Sequence, residues 1–485
     1  MNILPWRHAD TPRRPNLLIR LLPLVILCVS CSVQLPPAPA PPVSLADRFS
    51  LAGEAELPPQ WWRSFNDPIL NQLIPRALAA NLPLRATWDR LRQAEAVARR
   101  TASDLVPQLD AAGSASVSRE DDGDSIRNRN SVSLGLAASY ELDLWGRIRS
   151  RRDAARLDAA ASAEDLQTAA LTLSAQVASV WYQLVEQRGQ LGLLDRQHDI
   201  ARQVLKLVTL RFRRGQAGAS DVLQQRQLLE ANRGQQALAR AQAATLALQL
   251  AVLLGRAPGS GDLPTTGDLL ELPPLPRTGL PADLLQRRPD LRAAYAKVRA
   301  ADARLAGAIA DRLPRFSLAA QASSEGGDGR DLFHNWLASL AGNLVAPLVD
   351  GGRLQAEVER SGAAADEALN TYGQAVLAAL AEVEEGLARE EAQRQYLDRL
   401  TSQLHLAGQV VNRVRGRYLR GQEEYLRVLD AQLSQQELER SLLVARRQLI
   451  DDRIALCRAL AGGWPLTPPA RQAAVNKSGE ANDPK

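Results

Sequence analysis

From Val132 the chain alternates strictly: Val132, Leu134, Leu136, Ala138, Tyr140, Leu142 and Leu144 are apolar, while Ser131, Ser133, Gly135, Ser139, Glu141 and Asp143 fall between them. That period of two predicts a strand with one apolar face. The same parity returns in Trp336, Ala338, Leu340, Gly342, Leu344, Ala346 and Leu348, with Asn335, Ser339 and Asn343 on the other face. A fainter alternation precedes each run, so four strands are predicted, over residues 107–118, 131–144, 314–323 and 335–348. Strands of about ten residues, apolar on one side and small or polar on the other, suit a transmembrane barrel, although a soluble sheet can carry the same alternation.

Between the strand pairs the pattern changes. No proline occurs from Pro107 to Pro258 or from Pro347 to Pro465, and a proline in a helix interior costs about 3 kcal/mol. Two long helical regions are predicted, 147 to about 213 and 353 to about 419, each reversing at a glycine and returning to about 255 and 460. A helix of that length would extend about 100 Å. Such a rod needs neighbouring helices along its whole length, packed as in a coiled coil.

The chain is written twice. "RFRRGQ" at Gly215 answers "RYLRGQ" at Gly421, 206 positions on; "LRATWDRLRQAEA" from Leu84 answers "LRAAYAKVRAADA" from Leu291, and "GRI" at Gly146 answers "GRL" at Gly352. Gly215 and Gly421 are read as the helix-reversal tips, where glycine adopts a left-handed backbone cheaply. Gly146 and Gly352 are read as the strand-to-helix turns. The predicted fold class is mainly α with a β-barrel portion, in duplicated halves with two transmembrane strands each. Because about eight strands are the least that close a barrel, and an open edge in lipid leaves backbone groups unsatisfied, several copies must pool their strands.

Composition supports this picture. Of 485 residues, 45% are hydrophobic but only 4% aromatic, as expected for helices packed through small side chains. The net charge of +5 comes from charges of both signs spread along the chain, which argues against a nucleic-acid partner. Arg7, Arg13, Arg14 and Arg20 precede "LLPLVILCVSC", a basic-then-apolar stretch shaped like a secretory signal and too short to span a bilayer. "CVSC" resembles a bacterial lipoprotein processing site in which Cys31 becomes the acylated first residue. Cys28 stands where that pattern prefers leucine, and an ordinary cleaved signal is the other reading. Cys457 is read as a buried, inert helix residue.

The expected order is a signal peptide over 1–30, a Pro-rich tether over 31–60, a first repeat over 61–257, a linker over 258–282, a second repeat over 283–464 and a disordered tail over 465–485. No phosphate-binding loop or HExxH helix appears, and His8, His198, His334 and His405 are too scattered for a metal cluster. Neither catalysis nor a cofactor is expected. Ser220 and Asp221 read as a helix start, serine capping and the acid meeting the positive helix end.

With "WWRSFNDPILNQLI", "YELDLWGRIR", "RRPDLRAA", "PLVDGGRL" and "RYLRGQEEYLRVLDAQLS" in place, the chain closely resembles the TolC family of outer-membrane efflux proteins, especially lipid-anchored OprM-like and NodT-like members. The resemblance runs from about Trp61 to Trp464. It implies a homotrimer with a twelve-stranded barrel in outer-membrane lipid and a twelve-helix periplasmic tunnel. It also implies a passive exit duct served by a periplasmic membrane-fusion adaptor, which would contact the tips, and an inner-membrane transporter of RND type. In related ducts, side chains after the second tip narrow the periplasmic end, and the matching positions are Leu426 and Asp430; the plainer reading of Asp430 is a solvated helix residue. Arg427 and Glu423 invert the charges found in some relatives. Glu141 and Asp143 stand either on the lumen side near the rim or just outside lipid. A protein-secretion channel is the alternative on the same fold. A periplasmic adaptor, the alternative from another class, predicts one helical hairpin where this chain has two.

Overall fold

In a computed structural model the described residues are 40–121, 123, 126–259, 264, 267–327, 332 and 334–468. The predicted signal peptide, Cys31, the tether up to residue 39 and the last 17 residues lie outside them. The elements in chain order are a short 3₁₀ turn (Trp61–Phe65), α1 (Leu70–Ala80), α2 (Leu82–Ser103), β1 (Gln108–Asp121), β2 (Ile126–Leu142), α3 (Arg147–Arg213), α4 (Ala219–Leu253), α5 (Asp283–Arg287), α6 (Pro289–Ala310), β3 (Arg315–Gly326), β4 (Trp336–Val345), α7 (Arg353–Leu419) and α8 (Tyr425–Leu460). The two long helices are 67 residues each. The chain divides into two compact units.

The first unit, residues 94–159 with 297–369, carries the strands. They form one antiparallel sheet in the order β1-β2-β3-β4. Its register sorts the side chains by face: Leu136 pairs with Ala111 and Ala322, and Leu340 with Ala320, whereas Ser133 pairs with Ser114 and Glu325, and Ser317 with Asn343. Thus one face is mainly apolar and the other mainly small and polar, with Leu337 and Val345 of β4 its apolar exceptions, and hydroxyl bonds tie Ser114 to Ser133 (2.8 Å) and Ser116 to Ser131 (2.9 Å) on it. The apolar face is bare within one chain, Leu340 being 79% exposed and Trp336 74%.

Each strand-to-helix passage is capped by an aspartate. Asp143 accepts the backbone N–H groups of Ile148 (2.9 Å) and Arg149 (2.8 Å), and Asp350 accepts those of Gly352 (3.1 Å) and Leu354 (3.0 Å). Gly146 and Gly352 hold positive φ, +80° and +84°. Asp143 therefore serves the backbone at the helix start, where an acid also meets the positive end of the helix. Glu141 stands on the polar face and pairs with Arg147 at 2.6 Å.

The second unit, residues 41–93, 160–296 and 370 onward, holds the main core. Trp61, Trp62 and Phe65 pack with Leu70, Ile74, Trp181, Tyr182, Leu250, Ile454 and Trp464. Asp67 explains much of the "WWRSFNDPI" motif: one carboxylate oxygen accepts the N–H of Ile69 (2.8 Å), and the other accepts the Trp181 indole (3.0 Å) and the Tyr182 hydroxyl (3.1 Å). Burial, with Asp67 beside it, drives the Tyr182 phenol well above its ordinary range.

From residue 267 onward the linker packs against the second unit rather than running as a free loop. Leu269, Leu270 and Leu272 pack on the core, Ala55 bridges Pro276, and a Cβ at Gly53 would overlap the Pro276 carbonyl. The N-terminal strap continues onto α7, where Ser50 N–H donates to Glu384 at 3.0 Å and Pro42 fills the notch left by Gly373. Leu466 still packs against the core, so the polar tail starts later than residue 465.

The candidate duct and its helix-reversal tips

Both tips close in the same way. Gly215 and Gly421 lie at φ +71° and +74°. Gly215 N–H donates to the Phe212 carbonyl (2.9 Å) and Gln216 N–H to that of Arg211 (2.8 Å); Gly421 and Gln422 repeat this with Tyr418 (2.9 Å) and Arg417 (3.0 Å). The left-handed glycine lets the next amide reach back and satisfy a carbonyl that the helix end would strand. At the first tip Gly218, not Ser220, stands at the start of α4, and Asp221 accepts its N–H at 3.1 Å. Ser220 turns its hydroxyl to Asp221 instead, so the cap is made by the acid three residues in.

The interior of the paired tips is a small core of Ala201, Val208, Val222, Leu228, Leu229, Tyr418, Tyr425, Val428 and Leu429. The Tyr418 and Tyr425 rings lie 5.6 Å apart, and the Arg211 guanidinium sits 4.5 Å over the Tyr418 ring. Burial raises both phenols above their ordinary range. Leu426 and Asp430, one turn apart, face away from this core and are exposed, Leu426 at 48%. Among the described residues no ion pair or hydrogen bond within the chain engages the Asp430 carboxylate. Arg427 is exposed beside them, whereas Glu423 is drawn to Arg417 at 3.6 Å.

Sequence reasoning missed how polar the helix packing is. Gln190 donates to the Arg440 carbonyl (3.0 Å), Gln197 to Glu439 (3.0 Å), Gln236 to Asp195 (2.8 Å) and Gln393 to the Ala445 carbonyl (3.0 Å). The signal was in α4, where Val222, Gln225, Leu229, Asn232, Gln236 and Ala239 are buried at alternating steps of three and four, the heptad spacing of a coiled-coil seam. Among the described residues there is no cluster of metal-ligating side chains, and no helix is long and apolar enough to cross a membrane. Cys457 is buried and free, its thiol pushed up to about 12 by burial.

A sheet with one bare apolar face, two unpaired edges and a 67-residue helix after each hairpin defines a membrane channel of the barrel-and-helix type. A family model described as outer membrane efflux protein matches residues 73–256 and 280–462, one span in each half, and the chain belongs to that family. The pyoverdine export outer membrane protein OpmQ of Pseudomonas putida is 34% identical over 467 residues, covering 93% of this chain and 98% of the relative. The toluene efflux pump outer membrane protein TtgI of the same species is 31% identical, covering 83% and 87%. Among solved structures, CusC aligns with a TM-score of 0.83 at 27% identity, covering 89% of this chain and all of that one, and the outer-membrane channel OprN with 0.82 at 28%, covering 88% and 99%. The protein is an outer-membrane channel of a tripartite efflux pump, in a family of channels rather than enzymes.

Proposed function

We propose that three copies close one barrel, that the duct passes small molecules delivered by an inner-membrane transporter through a periplasmic adaptor, and that Leu426 and Asp430 form its periplasmic constriction. The observation that carries this reading is the four-stranded sheet, whose unpaired edges β1 and β4 and exposed Leu340 face would be unsatisfied unless copies share a cylinder in lipid. For the constriction, support comes from the two side chains on the free face of α8, one turn past the reversal. Gly215 and Gly421 mark the ends that would meet the adaptor. The names of relatives point to siderophores and organic solvents as cargo classes. Native mass spectrometry of detergent-extracted outer membranes should give a trimer; a monomer stable without detergent would overturn the reading.

The same proposal includes acylation of Cys31. The strap is held on α7 first at Glu384 and then, nearer its own N-terminus, at Gly373, so it runs toward the strand-bearing end of that helix. Intact mass of the mature protein should show a diacylglyceryl-modified Cys31, absent in Cys31→Ser.

A further inference from the structure

We infer that Gln225 is a positioning residue of the closed duct, holding the start of α8 through the Tyr425 hydroxyl and thereby placing Leu426 and Asp430. This rests on the constriction reading above. Gln225 is wholly buried and occupies a core position of the α4 seam between Val222 and Leu229, where a leucine would pack without any polar cost. Both ends of its amide are used. Nε2 donates to the Ala201 carbonyl on α3 at 2.8 Å, and Oε1 accepts the Tyr425 hydroxyl. Tyr425 is 3% exposed and opens α8 directly before Leu426. One side chain therefore joins three helices and both halves of the duplicated chain.

The surroundings make this bond hard to replace. Val208, Val222, Leu229 and Val428 pack in the same core, and the other hydroxyl there, that of Tyr418, belongs to a ring held under the Arg211 guanidinium. Drawing α8 away from α4 would strand a hydroxyl and an amide in apolar surroundings, and sliding it along the axis would misalign them. A buried polar pair at a core position is a device for fixing register between helices. The neighbouring Tyr418 marks the contrast: its ring is packed alongside, but its buried hydroxyl has no hydrogen-bond partner among the described residues. At this tip the rings supply volume, and the Tyr425 hydroxyl supplies register.

The test is single-channel recording of the purified full-length protein in planar bilayers, with Tyr425→Phe, Gln225→Leu, their double variant, Leu426→Ala and Asp430→Ala. Tyr425→Phe keeps the ring and removes only the bond, so open probability should rise about fivefold, the weight of one buried hydrogen bond. The double variant should rise no further than the single ones, because both lose the same bond. If Leu426→Ala and Asp430→Ala raise conductance while Tyr425→Phe and Gln225→Leu change nothing, the positioning role is refuted and the constriction stands. If Tyr425→Phe opens the channel while Leu426→Ala and Asp430→Ala do not, the constriction is misplaced and the register bond stands. Additive effects in the double variant would mean two separate packing defects and would also refute the proposal.

Discussion

The Arg453 guanidinium and the Glu390 carboxylate form a bidentate pair at 2.7 and 2.5 Å, with side chains 1% and 2% exposed. Arg453 also donates to the carbonyls of Pro273 (2.8 Å) and Pro274 (3.1 Å), so the pair joins α7, α8 and the linker between the halves. Removing Arg453 leaves the buried Glu390 carboxylate with the half-exposed Arg394, at 2.8 Å, as its remaining counter-charge among the described residues. Arg453→Met should therefore lower stability by about 3–5 kcal/mol, whereas Arg453→Met with Glu390→Leu should recover most of the loss. Thermal unfolding of detergent-purified protein would check both.

Two left-handed glycines should respond differently to alanine. At Gly215, φ +71°, an added Cβ meets nothing, so Gly215→Ala should cost only the left-handed backbone, about 1–2 kcal/mol. At Gly255, φ +68°, the added Cβ would overlap the Ala80 carbonyl, so Gly255→Ala pays the same strain and must also push α1 aside. The fall in melting temperature should be clearly larger for Gly255→Ala.

The strands, tips and duplication were legible because each is a local pattern. Strict parity from Val132, a proline-free run and a glycine after "RFRR" need no knowledge of the rest of the chain. What escaped depends on partners far apart in sequence. Asp67 looks like a turn residue until Trp181 and Tyr182 are placed on it, 114 and 115 positions away. Arg453 and Glu390 read as solvated helix charges until they meet across 63 positions. Gln225 resembles a surface residue by type, and only its heptad spacing shows that it is buried. At the tip itself, Leu426 and Asp430 came from the family pattern; spacing alone would have left Asp430 as a solvated helix residue.

Asp452 should make stability depend on pH in a direction opposite to an ordinary ion-paired acid. Burial raises its pKa above the usual 3.8, opposed by the Gln448 hydrogen bond and with Asp451 beside it. A raised carboxylate pKa means that the folded state resists ionisation. The penalty is absent below the unfolded pKa and complete once pH has risen through the folded one. Asp452→Asn removes that penalty, so the variant should melt higher than the parent at about pH 8, and the difference should fade toward about pH 4. A melting-temperature series across that range is the measurement, and an advantage that grew on acidification would contradict the assignment.

Asp430 gives the most direct functional prediction. Among the described residues its carboxylate has no partner within its own chain, and it projects from the face of α8 away from the Tyr425 and Val428 core. Three such carboxylates around one axis would repel each other and draw cations into the passage. Arg427, one turn back on the same exposed side, brings the opposite charge close, so the selectivity should be weaker than a bare acidic ring would give. Asp430→Ala should widen the passage and shift selectivity toward anions, because it leaves the Arg427 charges unopposed. Arg427→Ala should shift it toward cations. Reversal potentials under a salt gradient read both, and identical values for the parent and the two variants would place the ionic constriction elsewhere.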